Sequence, residues 1–120
     1  MYSQGFEGLE VYRLAAQLSD EIRAAVRQWD KSDLWTSGIQ TMRAADSVRA
    51  NIAEAAGRGS RPDQVRFLFI ARGSIYELQH WIARAAARDL PCPRAAGDRA
   101  NRIGRMLNGL IQSLPKDARP

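Results

Sequence analysis

The sequence predicts an all-α protein, an antiparallel up-down-up-down four-helix bundle. Apolar residues recur at three- and four-residue steps in four successive segments, and no strand-like alternation competes with them. The three breaks between these segments are short and carry turn, cap or proline chemistry. Short connections favour antiparallel neighbours. No repeat, low-complexity tract or composition shift divides the 120 residues, so a single domain spanning 1–120 is expected. A chain of this length buries about two-thirds of the surface its unfolded form exposes, and needs no disulfide or metal staple.

The first helix is expected over about 7–29, with Val11, Ala15, Leu18, Ile22, Ala25 and Trp29 along one seam. Asp30-Lys31-Ser32-Asp33 then supplies residues that prefer turns and caps. The second runs over about 34–56, with Ile39, Met42, Ala45, Val48, Ile52 and Ala55 inward. Gly57-Arg58-Gly59-Ser60 breaks it, since glycine accepts the left-handed conformation that ends a helix. Ser60 can cap the next helix, Pro62 suits its first turn, and Asp63 stands three residues past the cap.

The third helix, about 62–88, would extend ~40 Å. Its inward residues should be Phe67, Leu68, Ala71, Ile75, Leu78, Trp81, Ile82 and Ala85. Phe67 and Phe69 point about 160° apart on such a helix. With Phe67 inward, Phe69 between Leu68 and Ile70 is expected on a second buried face, a subunit interface. Leu90-Pro91-Cys92-Pro93 should end the helix. The fourth covers about 98–114, with Ile103, Leu107, Leu110, Ile111 and Leu114 as its stripe, and Pro115 stops it. A frayed tail over 116–120 is expected.

A net charge of +5 comes from 18 basic and 13 acidic residues, and Lys31 and Lys116 are the only lysines. Such a balance attracts nucleic acid or another polyanion. Arginine stems covering apolar helix faces would give the same composition. The single cysteine, Cys92, cannot form an intrachain disulfide, which fits a reducing cytoplasm. MYSQGFEGLE has neither a basic start nor an apolar run, so no secretory signal is expected. No stretch approaches the ~20 apolar residues that span a bilayer. A soluble, cytoplasmic protein with no membrane partner is expected.

Catalytic chemistry finds little support. His80 is the only histidine, and Ser74 lies six residues away, about 120° round the same helix. No triad assembles from that pair, and no metal-ligand spacing occurs. No enzyme activity, metal or cofactor is expected. Glu54 and Arg58 stand four apart with Asn51 one turn earlier, a polar network pinning the helix end. Around the glycine corner, Arg58, Arg61 and the backbone amides could hold an anion, with Asp63 competing and no P-loop lysine present. Arg99, Arg102 and Arg105 step by three opposite the apolar stripe of the fourth helix, and Arg84 and Arg88 form a second cluster. They would suit phosphate backbones; they also complement the negative end of the third helix. No base-reading motif is present.

The chain resembles the four-helix-bundle proteins encoded by intervening sequences within bacterial 23S ribosomal RNA genes. The resemblance begins at Phe6-Glu7-Gly8-Leu9-Glu10-Val11-Tyr12 and continues through Arg43-Ala44-Ala45 and Asn51-Ile52-Ala53-Glu54 into Gly57-Arg58-Gly59-Ser60. It then takes in Arg66-Phe67-Leu68, Ile70-Ala71, Gly73-Ser74 and Glu77-Leu78, and finishes at Met106-Leu107-Asn108-Gly109-Leu110-Ile111. Arg49 stands where the family often has proline, and Asp46 where it is usually apolar or small. The resemblance implies a closed, left-handed bundle, assembly into a ring-like homopentamer, and no catalytic residue. Related pentameric bundles include accessory proteins of diversity-generating retroelements, which bind a reverse transcriptase and nucleic acid through basic surface. The function expected is low-specificity RNA binding through Arg58, Arg61, Arg84, Arg88, Arg99, Arg102 and Arg105. The alternative is a protein–protein adaptor or scaffold for a partner enzyme such as a reverse transcriptase.

Overall fold

The computed structural model describes residues 9–114. Four long helices form the bundle: α1 (Glu10–Val26), α2 (Ile39–Gly57), α3 (Arg61–Ala87) and α4 (Ala96–Ser113). One α-helical turn, Lys31–Asp33, and a π turn, Leu34–Gly38, lead into α2. Each helix packs on its neighbours in the chain, and α4 closes against α1. Cross-helix pairs show the neighbours to be antiparallel. Arg23 and Asp20 of α1 meet Asp46 and Arg49 of α2, while Arg72 and Gln79 of α3 meet Asn108 and Asn101 of α4.

One buried cluster joins all four helices, built on Leu18 and Ile22, Val48 and Ile52, Leu68, Ile75 and Leu78, and Ile103 and Leu107. Each such side chain contributes about 1.5–3 kcal/mol on burial. Six positions expected inward are half-buried instead, among them Ile39 and Met42 of α2, where Thr41 and Ala44 take the buried places. Val26 rather than Ala25 continues the seam of α1, the next apolar residue four on from Ile22 and the bulkier of the two. On α3 the seam follows Val65, Leu68, Ala71, Ile75, Leu78, Ile82 and Ala85; Phe67 and Trp81 are half-buried on its flanks. Phe67 is about 100° from Leu68, too far round to share the seam. Leu110 also remains half-buried.

The corner between α2 and α3 ends α2 without a left-handed glycine. Arg58 turns extended instead, at φ −83° and ψ 143°. The start of α3 is as expected, with the Ser60 hydroxyl accepting the Asp63 N–H at 3.4 Å and Pro62 in the first turn. At its other end, α3 stops at Ala87, before the prolines. Asp89 takes a left-handed conformation (φ 58°), the Leu90 N–H reaches back to the Ala85 carbonyl at 2.9 Å, and the Asp89 N–H reaches Ala86 at 3.1 Å. That is a Schellman termination with aspartate where glycine is usual.

The connection from α1 to α2 is closely packed. Asp30 caps the turn by accepting the Asp33 N–H at 3.1 Å. Trp29 is buried, and its indole N–H donates to the Pro91 carbonyl at 2.7 Å, holding the α3–α4 loop against this turn. A Cβ on Gly38 would lie 2.8 Å from Val26 Cγ1 and 3.3 Å from the Trp29 ring. The helical path therefore starts at Lys31, earlier than expected, and passes α1 through the π turn. The expected helix start at Glu7, the motif residues Phe6 to Gly8, Pro115 and the tail over 116–120 lie outside the described residues.

Replacing Gly38 by Ala should destabilise the fold by about 1–3 kcal/mol, the cost of overpacking a filled site. Replacing Gly109 by Ala, with open space before its Cβ inside α4, should stabilise it by up to about 1 kcal/mol. Urea midpoints of the two variants check this, and equal midpoints would show that the approach at Gly38 constrains nothing.

Candidate nucleic-acid interface

The seven arginines expected to meet nucleic acid occupy different environments. Arg99 forms a two-point ion pair with Glu21 of α1, Nη1 to Oε1 at 3.0 Å and Nη2 to Oε2 at 2.9 Å. Arg102 pairs with Glu10 at 2.9 Å. Two members of the α4 row therefore bind α1, while Arg105 is exposed with no ion pair among the described residues. Arg99 holds the Glu21 carboxyl below its ordinary range through that hydrogen bond, against a small opposing effect of burial. Arg88 pairs with the buried Asp33 at 2.7 Å. Arg58 pairs with Glu54 at 2.7 Å and lies 4.6 Å over the Phe67 ring, where Arg66 stacks at 4.8 Å. Arg61 and Arg84 are exposed and have no ion pair among the described residues.

The glycine corner is thus furnished largely with its own partners, since Ser60 caps, Asp63 meets Arg66 at 3.6 Å and Arg58 is engaged. The expected network of Asn51, Glu54 and Arg58 separates into two. Glu54 and Arg58 pair as expected, but the Asn51 amide donates to the Ser47 carbonyl at 2.8 Å and to the Ser47 hydroxyl at 3.1 Å. Ser47 in turn meets Ser74 at 2.7 Å, tying α2 to α3. Asn51 and Glu54 are three apart, but Asn51 turns back towards the preceding turn.

Arg49 and Asp46 form a polar seam with α1 that sequence reasoning missed. Arg49 donates to the Ser19 hydroxyl at 3.1 Å and the Asp20 carboxylate at 3.0 Å, and Asp46 accepts from Arg23 at 2.6 Å. The Tyr12 hydroxyl, with Asp20, raises the Arg49 pKa further above its ordinary value, against burial. The available signal was a pair of opposite charges three residues apart on each helix, Asp20 and Arg23 on α1 and Asp46 and Arg49 on α2.

Phe69 is half-buried against the core, with the Arg72 guanidinium 4.4 Å over its ring. The exposed large apolar residues of α3 are Ile70 (44 %) and Tyr76 (50 %), and Phe69 falls between their directions, about 20° from Tyr76 and about 100° from Ile70 round the helix. His80 packs edge-on against Trp81 at 4.8 Å, and Ser74 bonds Ser47 instead of His80. Burial pushes the Cys92 thiol up, away from thiolate character. Among the described residues, no helix is long and apolar enough to cross a membrane.

Grooves among the described residues include the following three. One of about 410 Å³, between the π turn and the end of α3, is lined by Thr36, Ser37, Gln40, Trp81, Arg84 and Arg88. A second of about 240 Å³ lies between α3 and α4, with Tyr76 and Arg105 among its walls. The third, about 390 Å³ and mostly apolar, lies at the opposite end between Leu9, Val11, Met106 and Leu110.

The fold and these surfaces define a small helical-bundle protein with arginine- and aromatic-lined grooves. The family model of the 23S rRNA-intervening sequence protein matches residues 7–109, and the chain belongs to that family. No curated protein matches it.

The Glu21–Arg99 pair has a pH signature. A carboxyl depressed on folding stabilises the folded state above its unfolded pKa, and that contribution is lost as pH falls through the folded pKa. Both groups are partly exposed, so the contribution should be only about 0–1 kcal/mol. In Arg99→Ala the Glu21 titration should move up towards the ordinary carboxylate range, read by carboxyl carbon NMR. An unmoved titration would show that Arg99 does not set it.

Proposed function

We propose that this protein is a non-catalytic, self-assembling bundle that binds RNA with low sequence specificity in the cytoplasm. One observation carries the reading. Arg84 and Arg105, each without an ion pair among the described residues, line separate grooves that also contain an aromatic, Trp81 or Tyr76. Guanidinium groups for phosphates beside flat rings for bases are how proteins hold single strands without reading sequence. The net charge of +5 adds long-range attraction.

Self-assembly, as a homopentamer, is supported by the outer face of α3. Ile70 and Tyr76 are exposed there with Phe69 between their directions, and nothing lies within 4 Å of a Cβ built on Gly73. That low-relief strip suits the helix of another copy. A ring would repeat each groove in every subunit, converting weak contacts into avidity. The second reading, an adaptor for a partner enzyme such as a reverse transcriptase, is favoured by the apolar groove of about 390 Å³ at the far end, which suits the apolar face of a partner helix.

RNA affinity should fall steeply with salt, and Arg84→Glu combined with Arg105→Glu should lower the log–log slope by about 2. A salt titration with a short RNA reads this, and an unchanged slope removes those arginines from the site. Reversing Arg99 and Arg102 is the wrong test, because each would repel its own carboxylate partner. For assembly, light scattering should give a multiple of the 13.4 kDa chain mass, and Ile70→Asp should reduce it. A monomer from the unaltered chain would end the pentamer.

A further inference from the structure

We propose that the groove between the π turn and the end of α3 seats one nucleotide of a single strand. Trp81 carries the base, Arg84 and Arg88 face the phosphate, and Ser37 and Gln40 meet the polar edge of the base or ribose. This rests on the RNA reading above and narrows it to one unit at one place.

Size is the first argument. At about 410 Å³ the groove is within the ~300–1,000 Å³ range of small-molecule pockets, large enough for a nucleotide. Its aromatic wall is held in orientation. The Trp81 indole N–H donates to the Glu77 carboxylate at 3.2 Å, and the His80 ring meets the indole at an interplanar angle of 73°. An indole so placed can stack any base.

The charges around the groove limit what it can take. Arg88 is tied to Asp33 at 2.7 Å, which fixes its guanidinium between α3 and the first turn before α2. A guanidinium has five N–H donors, so this pair leaves several for another acceptor. Glu77, one turn before Trp81, is engaged by the indole. Arg84 is the uncompensated cation, and one uncompensated charge matches one phosphate rather than a polyphosphate or a duplex backbone. Opposite it, the Ser37 hydroxyl and Gln40 amide line the groove and make no side-chain hydrogen bond among the described residues. Both are part-exposed donors and acceptors for an uncharged edge. Single-turn π segments inside helices recur at functional sites, and here the segment delivers Thr36 and Ser37 to the groove wall.

The test is fluorescence anisotropy of a labelled ten-nucleotide single-stranded RNA, and of the same strand annealed to its complement, with the full chain. Trp81→Ala should weaken single-strand binding about 5- to 100-fold at an unchanged salt slope, because stacking is uncharged. Trp81→Phe should recover most of that loss. Arg84→Ala should lower the slope by about 1. If Trp81→Ala melts early by circular dichroism, Trp81→Leu keeps apolar bulk without a π face and must show the same loss. Binding that responds to Arg84→Ala but not to loss of the ring overturns the nucleotide seat and leaves RNA binding standing. A poly-glutamate peptide that competes fully, with its own binding likewise indifferent to Trp81, also overturns it in favour of an acidic protein partner. No binding of either RNA form by the unaltered protein removes the broader reading as well.

Discussion

The close approach at Gly38 is the constraint on which one end of this molecule depends. A side chain there would enter the space of Val26 and of the Trp29 ring. With glycine, the chain leaves α1, turns under the Asp30 cap and slides past the end of that helix by widening one turn to π geometry. The Trp29 ring is then buried beside Gly38, and its N–H fixes the Pro91 carbonyl of the loop that links the third and fourth helices. Two connections far apart in sequence are thereby locked together by one indole. The groove bearing Trp81 and Arg84 is built on this arrangement, since Thr36, Ser37 and Gln40 face α3 from within or just after the widened turn.

The arginines divide into three groups by what they touch. Those facing α1 are neutralised by its carboxylates: Arg99 by Glu21, Arg102 by Glu10 and Arg49 by Asp20. They hold helices together, each partly exposed pair contributing modestly. Others keep their charge for solvent or a ligand, among them Arg61, Arg84 and Arg105. A basic composition alone overstates the charge available to a polyanion, because pairing inside the bundle removes much of it locally. The arginines over Phe67 and Phe69 do a third job, covering aromatic faces that would otherwise be wet.

Much of the fold was legible in the chain because helix periodicity and caps are local properties. The seam of α1, the Ser60 cap with Pro62 behind it, and the stripe of α4 follow from spacing within one turn or two. Errors arose where a local rule met a competitor. The glycines of the α2–α3 corner were expected to turn left-handed, yet Arg58 simply became extended; α3 ends within a residue of the expected place, but through Asp89 and the backbone bonds of a Schellman turn rather than through the prolines. Phe67 was expected inward, whereas Val65, two residues earlier and not expected there, lies on the buried line with Leu68 and Ala71.

The sequence by itself determined that four amphipathic helices would form, where they would break, and that arginines and aromatics would share the third of them. Those outcomes depend on residues within a turn of one another. Tertiary structure alone decided which arginines are neutralised and which two walls make a groove. Arg99 and Glu21 are separated by 78 positions, and they meet only because packing sets the rotation of α4 against α1. The close approach at Gly38 belongs to the same category: only packing against the end of α1 brings Val26 and Trp29 to where a side chain at this position would stand.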